Sequence, residues 1–133
     1  MTASTTRVLV IEDDAPSLEL TLFLLEHAGY ATLSARDGAA GLKLAREQQP
    51  DLVLCDVQMP LLTGYQLVRA LRSDASWTPV PLVAISAFSM RGDRDKALAA
   101  GFDGYLPKPI EPEHFVREIE SYLRTDQRRS PLQ

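Results

Sequence analysis

Short β-branched runs alternate with helical segments five times along the chain, and that beat leaves few folds open. Residues 7–11, Arg7-Val-Leu-Val-Ile11, form the first run and stop abruptly at Glu12, Asp13 and Asp14. A helical stretch follows: Asp14 or Ala15 is placed to cap it, Pro16 suits its first turn and Gly29 closes it. Residues 30–34 read as a second strand. Asp37 caps a helix that runs to about residue 48, where Pro50 stops it. Residues 51–56 read as a third strand, apolar from Leu52 to Cys55 and ending in Asp56, and residues 64–72 as a helix. Residues 80–86, 90–100, 104–107 and 112–124 complete the series as strand, helix, strand and helix. Strands alternating with helices imply a parallel sheet covered on both faces, an α/β class. The nearly continuous apolar strands agree, because a strand buried on both faces does not alternate. Pro81 falls at the start of its strand, where a missing donor is tolerated.

A length of 133 residues suits one domain, expected over 7–124 between an extended or disordered stretch at 1–6 and a polar tail at 125–133. Fourteen Lys and Arg against eighteen Asp and Glu leave a net charge of -4. The one basic cluster, residues 124–129, lies in the tail and reads as solvated, so direct nucleic-acid binding is not expected. Cys55 is the sole cysteine, so the fold does not rest on a disulfide, and His27 and His114 do not complete a zinc spacing with it. No apolar run approaches the roughly 20 residues of a membrane helix, and the polar start lacks the apolar region of a signal peptide. The expectation is a cytoplasmic protein without membrane insertion.

The position of the charges carries the chemistry. Glu12 and Asp13 follow the first strand, Asp56 ends the third, Ser86 ends the fourth and Lys108 follows the fifth. Parallel strands bring these ends to one edge, and ligands of open α/β sheets bind at that carboxyl edge where strand order reverses. Three carboxylates there repel one another unless a hard cation joins them. Few carboxylates with water and phosphate oxygens suit Mg²⁺ better than Ca²⁺. Asp56 could then act as a nucleophile towards phosphorus, with Ser86 and Lys108 holding phosphate oxygens. Each residue alone has an ordinary structural reading, as a cap, a turn or a surface charge. Their convergence does not.

With these residues in view, the sequence resembles the receiver domain of two-component response regulators. The carrying stretches are Val8-Leu-Val-Ile-Glu-Asp-Asp14, Cys55-Asp-Val-Gln-Met-Pro60 with Gly64, Ile85-Ser-Ala87, and Gly101-Phe-Asp-Gly-Tyr-Leu-Pro-Lys-Pro-Ile110. The resemblance implies a flavodoxin-like (βα)5 sheet of order 2-1-3-4-5. It implies Asp56 as phosphoacceptor, and Glu12, Asp13, Asp56 and the Gln58 backbone carbonyl as the holders of Mg²⁺ or Mn²⁺. Ser86, Ala87 and Lys108 would bind the phosphoryl group, and the Lys108–Pro109 bond would be cis. Tyr105 would be an aromatic switch coupled to Ser86. Gln58 and Phe88 would flank the path of an attacking water. The implied partners are a histidine kinase or histidine phosphotransfer protein and a downstream protein. The implied output face includes Arg91, Arg94, Lys96, His114 and Arg117, on a monomer or weak dimer. The domain would take phosphate rather than turn over as an enzyme.

The first helix carries more apolar residues than one face needs. The resemblance favours Leu20 and Leu24 against the sheet, which leaves Leu18 and Leu22 as a docking surface for the phosphodonor; a single wide core face is the other reading. Three further functions compete. An aspartyl-phosphate phosphatase would place its nucleophile after the first strand, with a second Asp two residues on. A flavin carrier would want the switch point free of acids. A receiver excised from a hybrid kinase or larger regulator would look the same.

Overall fold

The computed structural model describes residues 6–59, 62–77, 79–87 and 92–128. Among them the chain forms parallel strands β1 (Arg7–Ile11), β2 (Ala31–Ala35), β3 (Leu52–Asp56), β4 (Leu82–Ser86) and β5 (Gly104–Pro107). Their order in the sheet is β2-β1-β3-β4-β5, which is the flavodoxin-like doubly wound arrangement. The helices are α1 (Ala15–His27), α2 (Gly38–Gln48), α3 (Gly64–Arg72), α4 (Asp93–Ala100) and α5 (Pro112–Glu120).

Successive strand residues point to opposite faces, so every central strand feeds two cores. Val8, Val10, Leu52, Leu54, Val83 and Ile85 pack with Leu18 and Leu25 of α1 and Phe115 and Ile119 of α5. Leu9, Ile11, Val53, Cys55, Leu82 and Ala84 pack on the other face with residues of α2, α3 and α4. The chain leaves β1 for β2, then returns past β1 to β3. The reversal opens a crevice between the carboxyl ends of β1 and β3.

Local signals set most boundaries. Asp14 accepts from the Ser17 N–H at 3.0 Å and Asp37 from the Ala40 N–H at 2.7 Å, each as a helix cap. Thr63 and Gln66 form a reciprocal capping box at α3 that the sequence reading does not single out. Strand β4 starts at Leu82, two residues later than expected, because Pro81 has no N–H and the preceding carbonyl of Val80 accepts from Arg72 at 3.1 Å. Arg72 also donates to the carbonyls of Gly101 and Trp77 and pairs with Asp103, whose carboxylate takes the Leu82 N–H at 2.8 Å. One guanidinium thus ties α3, β4 and the turn before β5 at the amino edge of the sheet.

Two expectations need correction at the chain ends. Helix α5 stops at Glu120 rather than 124, and the chain turns so that Leu123 enters the core at 3% exposure. A 3-10 turn at Thr125–Gln127 follows, and its Gln127 carbonyl accepts from the Thr6 hydroxyl at 2.7 Å. Thr6 is itself buried, and its carbonyl accepts from Ala31 N–H at 3.0 Å, so both residue 6 and the start of the expected tail belong to the fold. Residues 1–5 and 129–133 lie outside the described residues.

The faces of α1 also need correction. Leu18, Thr21 and Leu25 are its buried residues, whereas Leu20 is 38% and Phe23 62% exposed. Leu22 and Leu24 are both partly buried against the core. Leu18 is therefore a core residue and not a docking residue. Thr21 can occupy the middle of the buried row because its hydroxyl donates to the Ser17 carbonyl at 2.8 Å. Leu18→Ala is expected to destabilise the domain by about 2–4 kcal/mol through lost burial and a cavity. Leu20→Ala should stay within about 0.5 kcal/mol. Urea unfolding of the two variants checks the assignment.

Candidate functional site

The acids reach the crevice because the strand ladders continue into them. Glu12 N–H donates to the Ala35 carbonyl at 3.0 Å, which prolongs β1 against β2 by one residue. The Glu12 side chain is thereby buried beside Asp56, the last residue of β3, at 2% and 5% exposure respectively. Asp13 is more open. Ligand oxygens of Glu12, Asp13 and Asp56 all lie within 4.8 Å of one another.

Lys108 closes the group from the other side. Its Nζ is 2.6 Å from Glu12 Oε1 and 3.0 Å from Asp56 Oδ2. Its backbone N–H donates to the Ser86 carbonyl at 2.8 Å, so the end of β4 holds the lysine in place. The Lys108–Pro109 peptide is cis, as the resemblance implies. Asp56 Oδ1 accepts from Gln58 N–H at 2.9 Å. Gly64 lets α3 approach the end of β3, since a Cβ there would stand 2.7 Å from Val57 Cα and 2.8 Å from the Asp56 carbonyl oxygen.

Burial is the main force acting on Glu12. Together with a hydrogen bond and repulsion from Asp56, it outweighs Lys108 and pushes the carboxyl up from 4.5 to about 7. Burial opposes the charge of Lys108, but its bonds to Glu12 and Asp56 prevail and hold its pKa above the ordinary value. The Cys55 thiol, enclosed under the sheet beside these acids, is held far above the usual thiol range by desolvation and by Asp56 and Glu12. It stays protonated and inert.

The remaining expected residues fall around this centre. Ser86 is 1% exposed at the end of β4, and Ala87 follows it exposed at the rim. Tyr105 is buried in the core on the face of α2, α3 and α4, beside Ala84 in register and so two residues back from Ser86. Phe88 and Arg91 lie outside the described residues. Leu18 and Leu22 do not join the rim. Arg36, just past β2, donates from Nη2 to the Asp13 carbonyl at 3.2 Å. The sequence reading misses it, although its place after a strand end on the same edge was the available signal.

Oxygen donors from three crowded acids, one of them held to a raised pKa by burial and by Asp56, fit a hard divalent cation. A doubly wound sheet with these acids and a lysine at its switch point defines a receiver-type signalling module. A model of the response regulator receiver domain matches residues 8–120. The polar-differentiation response regulator DivK of Brucella ovis is 37% identical over 119 residues, 90% of this chain and 97% of that protein. The chemotaxis response regulator CheY4 of Vibrio cholerae superposes with a TM-score of 0.85 at 27% identity, over 90% of this chain and 100% of that one. The receiver domain of the sensor histidine kinase PA1611 of Pseudomonas aeruginosa, solved with a magnesium ion coordinated in its active-site cleft, gives 0.82 at 28% identity, over 90% and 98%. This chain belongs to the response regulator receiver domain family.

Glu12 carries a pH signature. The unfolded chain releases that proton near 4.5, while the folded, metal-free protein keeps it to about 7. The folded state therefore binds more protons across that interval, and stability falls as pH rises through it. Urea unfolding in chelator is expected to show that decline between about pH 4.5 and 7, and Glu12→Gln to flatten it.

Proposed function

We propose that Asp56 is the phosphoacceptor of this receiver and takes a phosphoryl group from a phosphohistidine on a histidine kinase or histidine phosphotransfer protein in the cytoplasm. The observation that carries this reading is the single ammonium of Lys108 set against Glu12 and Asp56 at the switch point. A carboxylate oxygen of Asp56 forms the new bond to phosphorus as the phosphorus–nitrogen bond breaks, and the imidazole keeps the electron pair. Gln58 N–H, bonded to Oδ1, orients the carboxylate. Lys108 meets the incoming phosphoryl oxygens with positive charge, and the Ser86 hydroxyl and Ala87 N–H supply hydrogen bonds.

Glu12, Asp13, Asp56 and the Gln58 carbonyl would hold Mg²⁺, or Mn²⁺, which supplies charge to neutralise carboxylates and phosphoryl oxygens together. The product carries about -1.5 to -2 charges on its phosphoryl oxygens in place of the single charge of the Asp56 carboxylate, beside Ser86 and Lys108. It biases α4, β5 and α5 between two arrangements through its different contacts in each, with Tyr105 following Ser86. That surface then controls a downstream protein. The domain is a phosphoacceptor that assists its own transfer and hydrolysis, not an enzyme with a separate substrate.

The exposed face of α1 suits the donor. Leu20 lines a groove with Pro16, Ser17, Ala87, Pro109 and Ile110, and Lys108 forms part of its wall. A helix seated there would bring its histidine to the crevice. Phe23, stacked on His27 with centroids 5.7 Å apart, extends the apolar strip.

Intact mass after incubation with Mg²⁺ and acetyl phosphate is expected to rise by one phosphoryl group in the wild type and not in Asp56→Asn. Mass gain in Asp56→Asn, or none in the wild type, would overturn the assignment. Leu20→Arg is expected to slow transfer from a phosphorylated histidine donor at least tenfold, about 1.4 kcal/mol. Its rate with acetyl phosphate should not change, and equal loss with both donors would remove the docking role.

A further inference from the structure

Helix α4 is thinly anchored. Its buried residues are Ala97 and Ala100, whereas α3 beside it buries Leu67, Val68 and Leu71. Its N-cap is Gly92, which has no side chain with which to cap it, and Gly101 ends it. A notch of about 490 Å³ opens between this helix and the β3–α3 segment, walled by Gln58, Met59, Thr63, Tyr65 and Lys96. Small side chains and an open notch leave α4 little dispersion to fix its distance from α3.

Among the described residues, Lys96 reaches across that gap. Lys96 Nζ lies 4.7 Å from the centroid of the Tyr65 ring, in the first turn of α3. An ammonium over an aromatic face is attracted by the ring quadrupole, and the half-buried ring sheds part of its competing hydration. Tyr65 also senses Asp93 of α4 and Tyr105 of β5, which with burial hold its hydroxyl pKa above the ordinary value. The ring packs against the core that holds Ala97 of α4 and Tyr105 of β5, and the same notch is walled by Gln58, whose N–H donates to Asp56.

We infer that Lys96 on the Tyr65 ring is a latch that sets how closely α4 lies against α3, and through it tunes the equilibrium on which phosphorylation of Asp56 acts. The tuning part rests on the phosphoacceptor reading. The latch itself does not. An exposed cation–π contact shifts a two-state equilibrium about two- to fivefold, enough to change a switch that is nearly balanced. The aromatic face and the cation are both required, whereas the tyrosine hydroxyl and the choice between ammonium and guanidinium are not.

Hydrogen exchange of the unphosphorylated full chain, read on the amides of Asp93–Ala100, tests the latch. Lys96→Met and Tyr65→Leu are each expected to speed exchange about two- to fivefold. The double variant should be no faster than either single one, because both remove the same contact. Lys96→Arg and Tyr65→Phe should exchange like the wild type, which a loss of fold or of a hydrogen bond would not reproduce. Unchanged exchange in Lys96→Met, or additive effects in the double variant, would overturn the latch.

Initial rates of mass gain with acetyl phosphate and Mg²⁺ test the tuning. Lys96→Met and Tyr65→Leu should differ from the wild type by one common factor, and rates equal to the wild type beside faster exchange would overturn it. A wild type that gains no mass would remove the phosphoacceptor reading and the tuning together, with the exchange result standing as a property of the fold.

Discussion

The shared ammonium of Lys108 is the interaction on which the carboxyl edge depends. Two unit charges about 4 Å apart repel by roughly 4 kcal/mol at an effective dielectric constant near 20, and Glu12 and Asp56 are both almost wholly buried. A single cation between them, at 2.6 and 3.0 Å, offsets part of that repulsion, although burial and Asp56 still hold the Glu12 carboxyl up to about 7. The bridge also has mechanical reach. Lys108 follows β5, yet its side chain passes over the end of β4 to meet acids at the ends of β3 and β1. Four strand ends are therefore joined by one residue, whose backbone is in turn pinned to Ser86. Because one ammonium serves both acids, a shift of Lys108 at either contact bears on the other.

The sheet was legible in the sequence because its central strands β1, β3 and β4 are buried on both faces and read as continuous apolar runs. Acids placed directly after those strands then fell on one edge by geometry alone, and the structure brings Glu12, Asp13, Asp56 and Lys108 together there. Helix α1 was harder to read. Leucines or phenylalanine occupy positions 18, 20, 22, 23, 24 and 25, so hydrophobicity runs around the helix and marks no face. The buried row passes through Thr21, a residue that looks like surface until its hydroxyl is seen bonded to the preceding turn. A polar residue in the core row and a phenylalanine in water together inverted the assignment of Leu18 and Leu20. The end of α5 was hidden for another reason. Its stop comes with Leu123 turning into the core and the Thr6 hydroxyl donating to the Gln127 carbonyl, a contact more than a hundred residues apart in the chain that no local pattern contains.

The helices differ in how firmly they are held, and the difference follows the sheet. Helices α1, α3 and α5 each bury large side chains, whereas α4 buries alanines and begins at glycine. A helix with a shallow apolar contact loses little when it shifts, so its position is open to small electrostatic influences. Such a helix follows the strand that ends in Ser86 and so lies beside the carboxyl edge; α2, which buries Gly38, Gly41 and Ala45, is the other helix held by small residues. The firmly packed helices keep the acids in place meanwhile.

Arg72 gives the opposite edge a different character. Its guanidinium gathers the carbonyls of Trp77, Val80 and Gly101 and the carboxylate of Asp103, and Asp103 holds the first amide of β4. The sheet is bound tightly at its amino end and left electrostatically adjustable at its carboxyl end, like a brush whose bristles are free beyond the ferrule. The two ends can therefore change independently over evolutionary time. Substitutions around Arg72 bear on the anchors of β4 and of the turn before β5, and substitutions around Lys108 bear on the charge balance of the carboxyl edge. A lineage could retune its signalling without re-solving its fold.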